Sequence, residues 1–193
     1  MEKKYKLTEE TIEVNGITLY RIEAVRDFAN IKKGDKGGFI ENEKNLSQRG
    51  DCWVYENAKV YGKARVFDKT KVRNEAKVLD DAVVYGNARV YDNAKVCGNA
   101  EICSNAQVFG NAEICGDAEI TSNSDYIVFK NWWSSGRYFT WTKSNNMWKV
   151  GCFHGTGKEL IEKAYKDSEI SGREYERVVK YVESIIADNG KDK

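Results

Sequence analysis

"VVYGNARVYDNAKVCGNA", residues 83–100, states one six-residue phrase three times. The phrase extends well beyond this window. Valine or isoleucine stands at 54, 60, 66, 72, 78, 84, 90, 96, 102, 108, 114 and 120. Four residues after each comes a small side chain, Ala58, Ala64, Thr70 and Ala76 through Ala118, then Ser124. Between them lie turn-prone pairs, often Gly-Asn or Asp-Asn. A period of six does not fit an α-helix, whose apolar stripe recurs at about 3.6 residues. It fits a short strand followed by a bend. The branched residue points inward, its neighbours point out, and Gly or Asn turns the chain through left-handed backbone angles. A bend every six residues makes a coil, and stacked coils make a solenoid with a continuous core.

Three hexads per coil would stack residues 18 apart at about 4.8 Å. The outward slot after each aliphatic residue then forms columns: Tyr55, Arg73, Tyr91, Phe109; Tyr61, Leu79, Cys97, Cys115; and Phe67, Tyr85, Cys103, Thr121. Exposed aromatic strips of this size are uncommon on a monomer. Tyr55, Tyr61, Phe67, Tyr85, Tyr91 and Phe109 are therefore the expected oligomer contacts. Ahead of each aliphatic residue the chain is basic at first (Lys59, Arg65, Lys71, Lys77) and acidic later (Glu101, Glu113, Glu119).

The aliphatic-to-small spacing resembles the hexapeptide-repeat family of left-handed parallel β-helices over residues 52–124. The resemblance implies a triangular solenoid and a homotrimer, and the family includes many acyltransferases with a histidine near the coils. The segment leading into "NLSQRGDCWVYENAKVYG" resembles hypothetical phage and prophage proteins of this type that carry a Trp-rich C-terminal domain. That likeness implies a mobile-element origin, a host-cytoplasm location and a role against host defence.

The rest of the chain divides around the repeat. Residues 1–39 hold two alternating segments about Asn15-Gly16, a hairpin signal that would cap the solenoid. Residues 40–124 form the solenoid, with Ile40 and Leu46 in phase with the small slot. Residues 125–193 change character: Trp132, Trp133, Trp141 and Trp148 fall within three strand-like pieces, joined by "SSG" (134–136) and "SNN" (144–146). Two helices follow, with capping boxes at Thr156/Glu159 and Ser171/Glu174. Their inward residues are Leu160, Ile161, Ala164, Tyr165, Tyr175, Val178, Val179, Val182, Ile185 and Ile186. The expected fold is mainly β, with a three-stranded antiparallel sheet and two helices after the solenoid.

Residues 125–158 carry five basic side chains against Asp125 alone. Aromatic rings interleaved with cations can stack on a base and pair with a phosphate. Lys130, Trp132, Trp133, Arg137, Tyr138, Trp141, Lys143, Trp148, Lys149 and His154 are therefore the candidate ligand-binding residues. The candidate partner is a nucleotide-like small molecule or a host protein, with nucleic acid the less favoured ligand.

The chain holds one histidine, outside the coils, and no clustered Cys-His pattern of a zinc site. The residues therefore assign no catalytic group, metal or cofactor, and the reading is a non-enzymatic binding protein. A hexapeptide-type acyltransferase and a self-assembling spacer are the alternatives. The five cysteines read as reduced thiols, as expected in cytoplasm. The net charge of +1 gives no field toward membranes or nucleic acid, and no apolar run approaches the roughly 20 residues of a membrane span.

Overall fold

The computed structural model describes residues 2–133 and 136–189. It is mainly β: a three-faced parallel solenoid of about five coils, opened by an antiparallel hairpin and closed by an antiparallel sheet and two helices. Each hexad contributes a two-residue strand to one face. The first face stacks Lys59–Val60, Lys77–Val78, Lys95–Val96 and Glu113–Ile114. The second stacks Trp53–Val54, Lys71–Val72, Arg89–Val90 and Gln107–Val108. The third stacks Arg65–Val66, Val83–Val84, Glu101–Ile102 and Glu119–Ile120. The inward valines and isoleucines are fully buried, as are the alanines of the small slot.

The corners show why the repeat alternates Gly with Asp or Asn. The residue two after each aliphatic position takes positive φ, from Glu56 (53°) through Gly62, Asp68, Asn74 and Asp80 to Gly116 (71°). Asp and Asn tolerate that region better than most side chains. They also bind the next coil: the Asp68, Asp80 and Asp92 carboxylates accept from the backbone N–H of Gly86, Gly98 and Gly110 at 3.0, 3.0 and 3.1 Å. A carboxylate corner thus serves the glycine corner stacked upon it.

The opening coil departs from the period. Ile40 pairs with Val60 and Leu46 with Val66, so both sit in the valine column rather than the small slot. Eight residues, not six, separate Leu46 from Val54, and the insertion realigns the register. The hairpin strands Tyr5–Val14 and Ile17–Ala24 turn at Asn15 and Gly16, both at positive φ, and extend the first face through Lys36–Ile40. Within the Lys36–Ile40 strand, Gly38 passes so close to the first coil that a Cβ would lie 2.5 Å from the Ala58 carbonyl.

After the solenoid the sheet has four strands, not three: Tyr126–Lys130, Tyr138–Thr142, Met147–Val150 and Phe153–Gly155. The run "MWKVGCFH" folds back on itself, because Gly151 at φ 56° starts a two-residue turn that pairs Val150 with Phe153. Of the expected "SSG" turn, Ser134 and Ser135 lie outside the described residues. Helices α1 (Gly157–Asp167) and α2 (Glu169–Asn189) cover one face of the sheet. Thr156 and Glu159 form the expected capping box. Helix α2 starts earlier than Ser171/Glu174 implied: the Ser168 hydroxyl accepts from Ser171 N–H at 3.1 Å. Tyr165 and Ile186, expected inside, are exposed. None of the described helices is long and apolar enough to cross a membrane.

Candidate functional site

Strict alternation along Tyr138–Thr142 gives the sheet two jobs. Phe139 and Trp141 face the helices and pack with Trp148, Val150, Leu160, Val179 and Val182. Thr140, from the other face, is buried against the solenoid, and its hydroxyl accepts from Glu113 N–H at 3.0 Å. Last-coil donors at the equivalent positions of the other faces are met in the same way. Gln107 N–H reaches Asn123 Oδ1 at 2.8 Å and Glu119 N–H reaches Ser144 Oγ at 2.8 Å. The Tyr126 hydroxyl donates to the Gln107 carbonyl at 2.9 Å. Asp125 accepts from Thr121 N–H and Ser122 N–H, each at 2.8 Å. Burial opposes ionisation of Asp125, but these bonds outweigh it and hold its pKa below the usual carboxylate value.

The ten candidate ligand residues do not converge on one surface. Trp141 and Trp148 belong to the core, with Trp141 Nε1 donating to Asn146 Oδ1 at 2.8 Å. Trp133 is half-buried against Phe139 and Tyr175, with ring centroids 5.9 Å away in each case. Trp132 is 82% exposed. Lys130 lies 6.0 Å from the Tyr138 ring. Lys143 is exposed beyond its strand. Arg137, also exposed, lines a cleft of about 30 Å³ with Cys152, Lys163 and Tyr175, room for a water rather than a nucleotide.

Lys149 and His154 are cross-strand neighbours at the edge of the sheet. Lys149 Nζ donates to the Gly151 carbonyl at 2.6 Å and stands 4.0 Å from Glu113 of the last coil. The His154 imidazole is exposed and rests on Gly116 of that coil, where any Cβ would meet Cε1 at 2.5 Å. The only histidine of the chain thus lies on a solenoid corner, although it comes 38 residues after that corner in sequence. Sequence reasoning named His154 but not its seat on the coil, because nothing local signals the fold-back.

Among the expected oligomer contacts, Phe67 stacks on Tyr85 and Tyr91 on Phe109, each pair 5.3 Å apart. Tyr55 lies beneath the Arg73 guanidinium at 4.5 Å. Tyr61 is covered by Leu19 and Phe39 of the N-terminal region. The reduced-thiol expectation needs correction at Cys97 and Cys115. They share one column 18 residues apart, which brings their Cα atoms to 4.6 Å, and they are joined as a disulfide. Cys52 and Cys103 are buried free thiols and Cys152 is an exposed one.

One further feature escaped the sequence reading. Phe109, Asn123, Tyr126, Val128 and Tyr138 line an open groove of about 480 Å³ where the last coil meets the sheet.

No known family's sequence profile matches the chain. A search of curated proteins finds similarity to an uncharacterized acetyltransferase, YdcK, of Escherichia coli strain K12, 33% identical over 66 residues. The match covers 30% of this chain and 20% of that protein, so the chain spans about one fifth of its relative's length. This likeness overturns the expectation of a non-enzymatic protein, which rested on the lack of a histidine within the repeats. Together the solenoid and the match support a hexapeptide-repeat β-helix family.

Proposed function

We propose that the protein is an acetyltransferase of the hexapeptide-repeat type, with His154 as its general base. The observation that carries this reading is the likeness to the E. coli acetyltransferase. The seat of His154 on the last coil supports it: an exposed imidazole is fixed against a rigid solenoid corner. A neutral imidazole would take the proton from an acceptor hydroxyl or amine as that atom attacks the acetyl thioester. It would return the proton to the departing thiolate, so the acetyl group moves with no net proton change on the protein.

In this reading the solenoid also sets the assembly. The Phe67–Tyr85 and Tyr91–Phe109 stacks are partly exposed apolar strips in two different columns of the solenoid, and a homotrimer that buries them removes the exposure. The nucleotide-binding, anti-defence reading draws on the leader's resemblance and on the aromatic and basic content of residues 125–158. Two of its four C-terminal tryptophans, Trp141 and Trp148, are in the core.

Calorimetric titration of the full chain with acetyl-CoA tests the proposal. Saturable binding at micromolar concentrations is expected. Heats indistinguishable from dilution, with the protein folded and at its native oligomeric state, would overturn it.

A further inference from the structure

The second face of the solenoid holds a cleft of about 350 Å³ distinct from the sheet and its histidine. Lys71, Arg73 and Arg89 line it, with Tyr91, Gln107 and Glu56. Lys71 and Arg89 are direct register partners on adjacent coils. Like charges placed opposite one another across strands are destabilising. Elsewhere on the solenoid, acids relieve such cations: Lys59 pairs with Glu75 at 3.2 Å and Lys63 with Asp81 at 3.5 Å. In this cleft none of the three has a carboxylate within 4.0 Å among the described residues.

Glu56, in the same lining, offsets one of the three charges but pairs directly with none of them. Its Oε2 is taken by the N–H of Asn74 at 2.6 Å and by Asn74 Nδ2 at 3.0 Å. The Arg73 guanidinium lies over Tyr55, 4.5 Å from the ring centroid, and its Nε is buried with no hydrogen-bond partner among the described residues. That Nε is shielded from the cleft as well as from solvent, so the attraction for an anion comes from the three cations that line the cleft, Lys71, Arg73 and Arg89. Gln107 is steadied by the Tyr91 hydroxyl, which donates to its Oε1 at 3.3 Å.

We propose that this cleft binds the phosphate group of a phosphorylated small molecule. A dianionic phosphate answers three cations better than a single carboxylate does, and a guanidinium fork suits its oxygens. The volume leaves room for a compact body beside the phosphate, on the scale of a sugar phosphate. The site is separate from the acetyl-transfer reading and stands whether or not that reading holds.

The test is calorimetric titration of the full chain with inorganic pyrophosphate and with glucose 6-phosphate at low ionic strength. Saturable one-to-one binding of at least one probe is expected. Arg73→Gln and Arg89→Gln should each weaken it tenfold or more, while Lys166→Gln, on helix α1, leaves it unchanged. Because Arg73 packs on Tyr55, the exposed Arg89 provides the variant that spares the fold, and a thermal melt of each confirms folding. Absence of saturable binding to both probes overturns the proposal, as does equal weakening by all three variants. Displacement of glucose 6-phosphate by coenzyme A would also overturn it, since the cleft would then belong to the acyl donor.

Discussion

The two ends of the solenoid expose unpaired backbone groups, and the chain closes them with opposite chemistry. At the opening end, side-chain donors meet carbonyls. The buried Lys4 Nζ donates to the carbonyls of Cys52 at 2.7 Å and Gly50 at 3.2 Å, the Tyr5 hydroxyl to Leu46 at 2.6 Å, and Arg21 to Glu56 at 3.1 Å. At the closing end, side-chain acceptors meet N–H groups: Asn123 on Gln107, Thr140 on Glu113 and Ser144 on Glu119. The opening cap commits a buried ammonium, whereas the closing cap uses neutral oxygens together with the Asp125 carboxylate on the Thr121 and Ser122 N–H groups. Open sheet edges template edge-to-edge association, so each cap protects solubility as well as stability. The closing cap has a second consequence, because the strands that place Thr140 also bring His154 onto the coil.

The contrast predicts unequal fragility. Lys4→Met should be the most damaging substitution, at about 3 kcal/mol by urea denaturation, because it strands several buried carbonyls at once. A neutral result would mean that hairpin packing alone closes that end. Thr140→Val keeps the shape and leaves one buried N–H unpaired, for a loss of about 1–2 kcal/mol. Ser144→Ala, at an exposed position, should cost less than Thr140→Val in the same measurement.

Alkaline pH probes both ends together. Burial pushes the Tyr126 phenol up to about 12 and raises Tyr5 as well. A folded pKa above the unfolded value of about 10 leaves stability intact below pH 10 and removes it as pH rises toward 12. Burial lowers the Lys4 pKa, so Lys4 acts in the opposite sense, lessening its own penalty as pH rises. Following phenolate absorbance alongside unfolding separates these contributions: the Lys4→Met protein should lack the gain in stability that the wild type shows as pH rises toward the unfolded lysine value of about 10.4, and above it both should fall alike as the phenols ionise.

The smallest change lies between the ends and carries the reverse sign. Thr70 occupies a slot that alanine fills in most hexads, and its buried hydroxyl has no partner among the described residues. Thr70→Ala should raise stability by about 1 kcal/mol. A loss would show that the methyl group packs better than the hydroxyl costs.

The solenoid was legible because each inward position is set by its own hexad. Val84 and Ala88 need no distant information to be placed. The caps were not legible, because their partners lie far apart in the chain: Lys4 meets Cys52 across 48 residues and Thr140 meets Glu113 across 27. The start of α2 was misplaced because Ser171/Glu174 has the capping-box spacing, while Ser168 caps through a lone hydroxyl. The fourth sheet strand was hidden because Gly151-Cys152 turns within an otherwise continuous strand-like run. For the candidate site, the residue types were visible but their neighbours were not. Trp141 and Trp148, read as ligand-surface candidates, lie in the core while Trp132 is exposed, and an isolated histidine rests on the coil.

Acetyl transfer itself is the most direct test of the functional account. Purified full-length protein is incubated with deuterated acetyl-CoA and a pool of small amine and hydroxyl acceptors, and labelled products are read by mass spectrometry. The account predicts a labelled acceptor from the wild type, and at least a hundredfold less from a folded His154→Asn protein that still binds acetyl-CoA. Undiminished transfer by His154→Asn would contradict the role of the imidazole. Acetyl-CoA binding with no transfer to any acceptor in the pool would contradict the assignment of acetyltransferase activity.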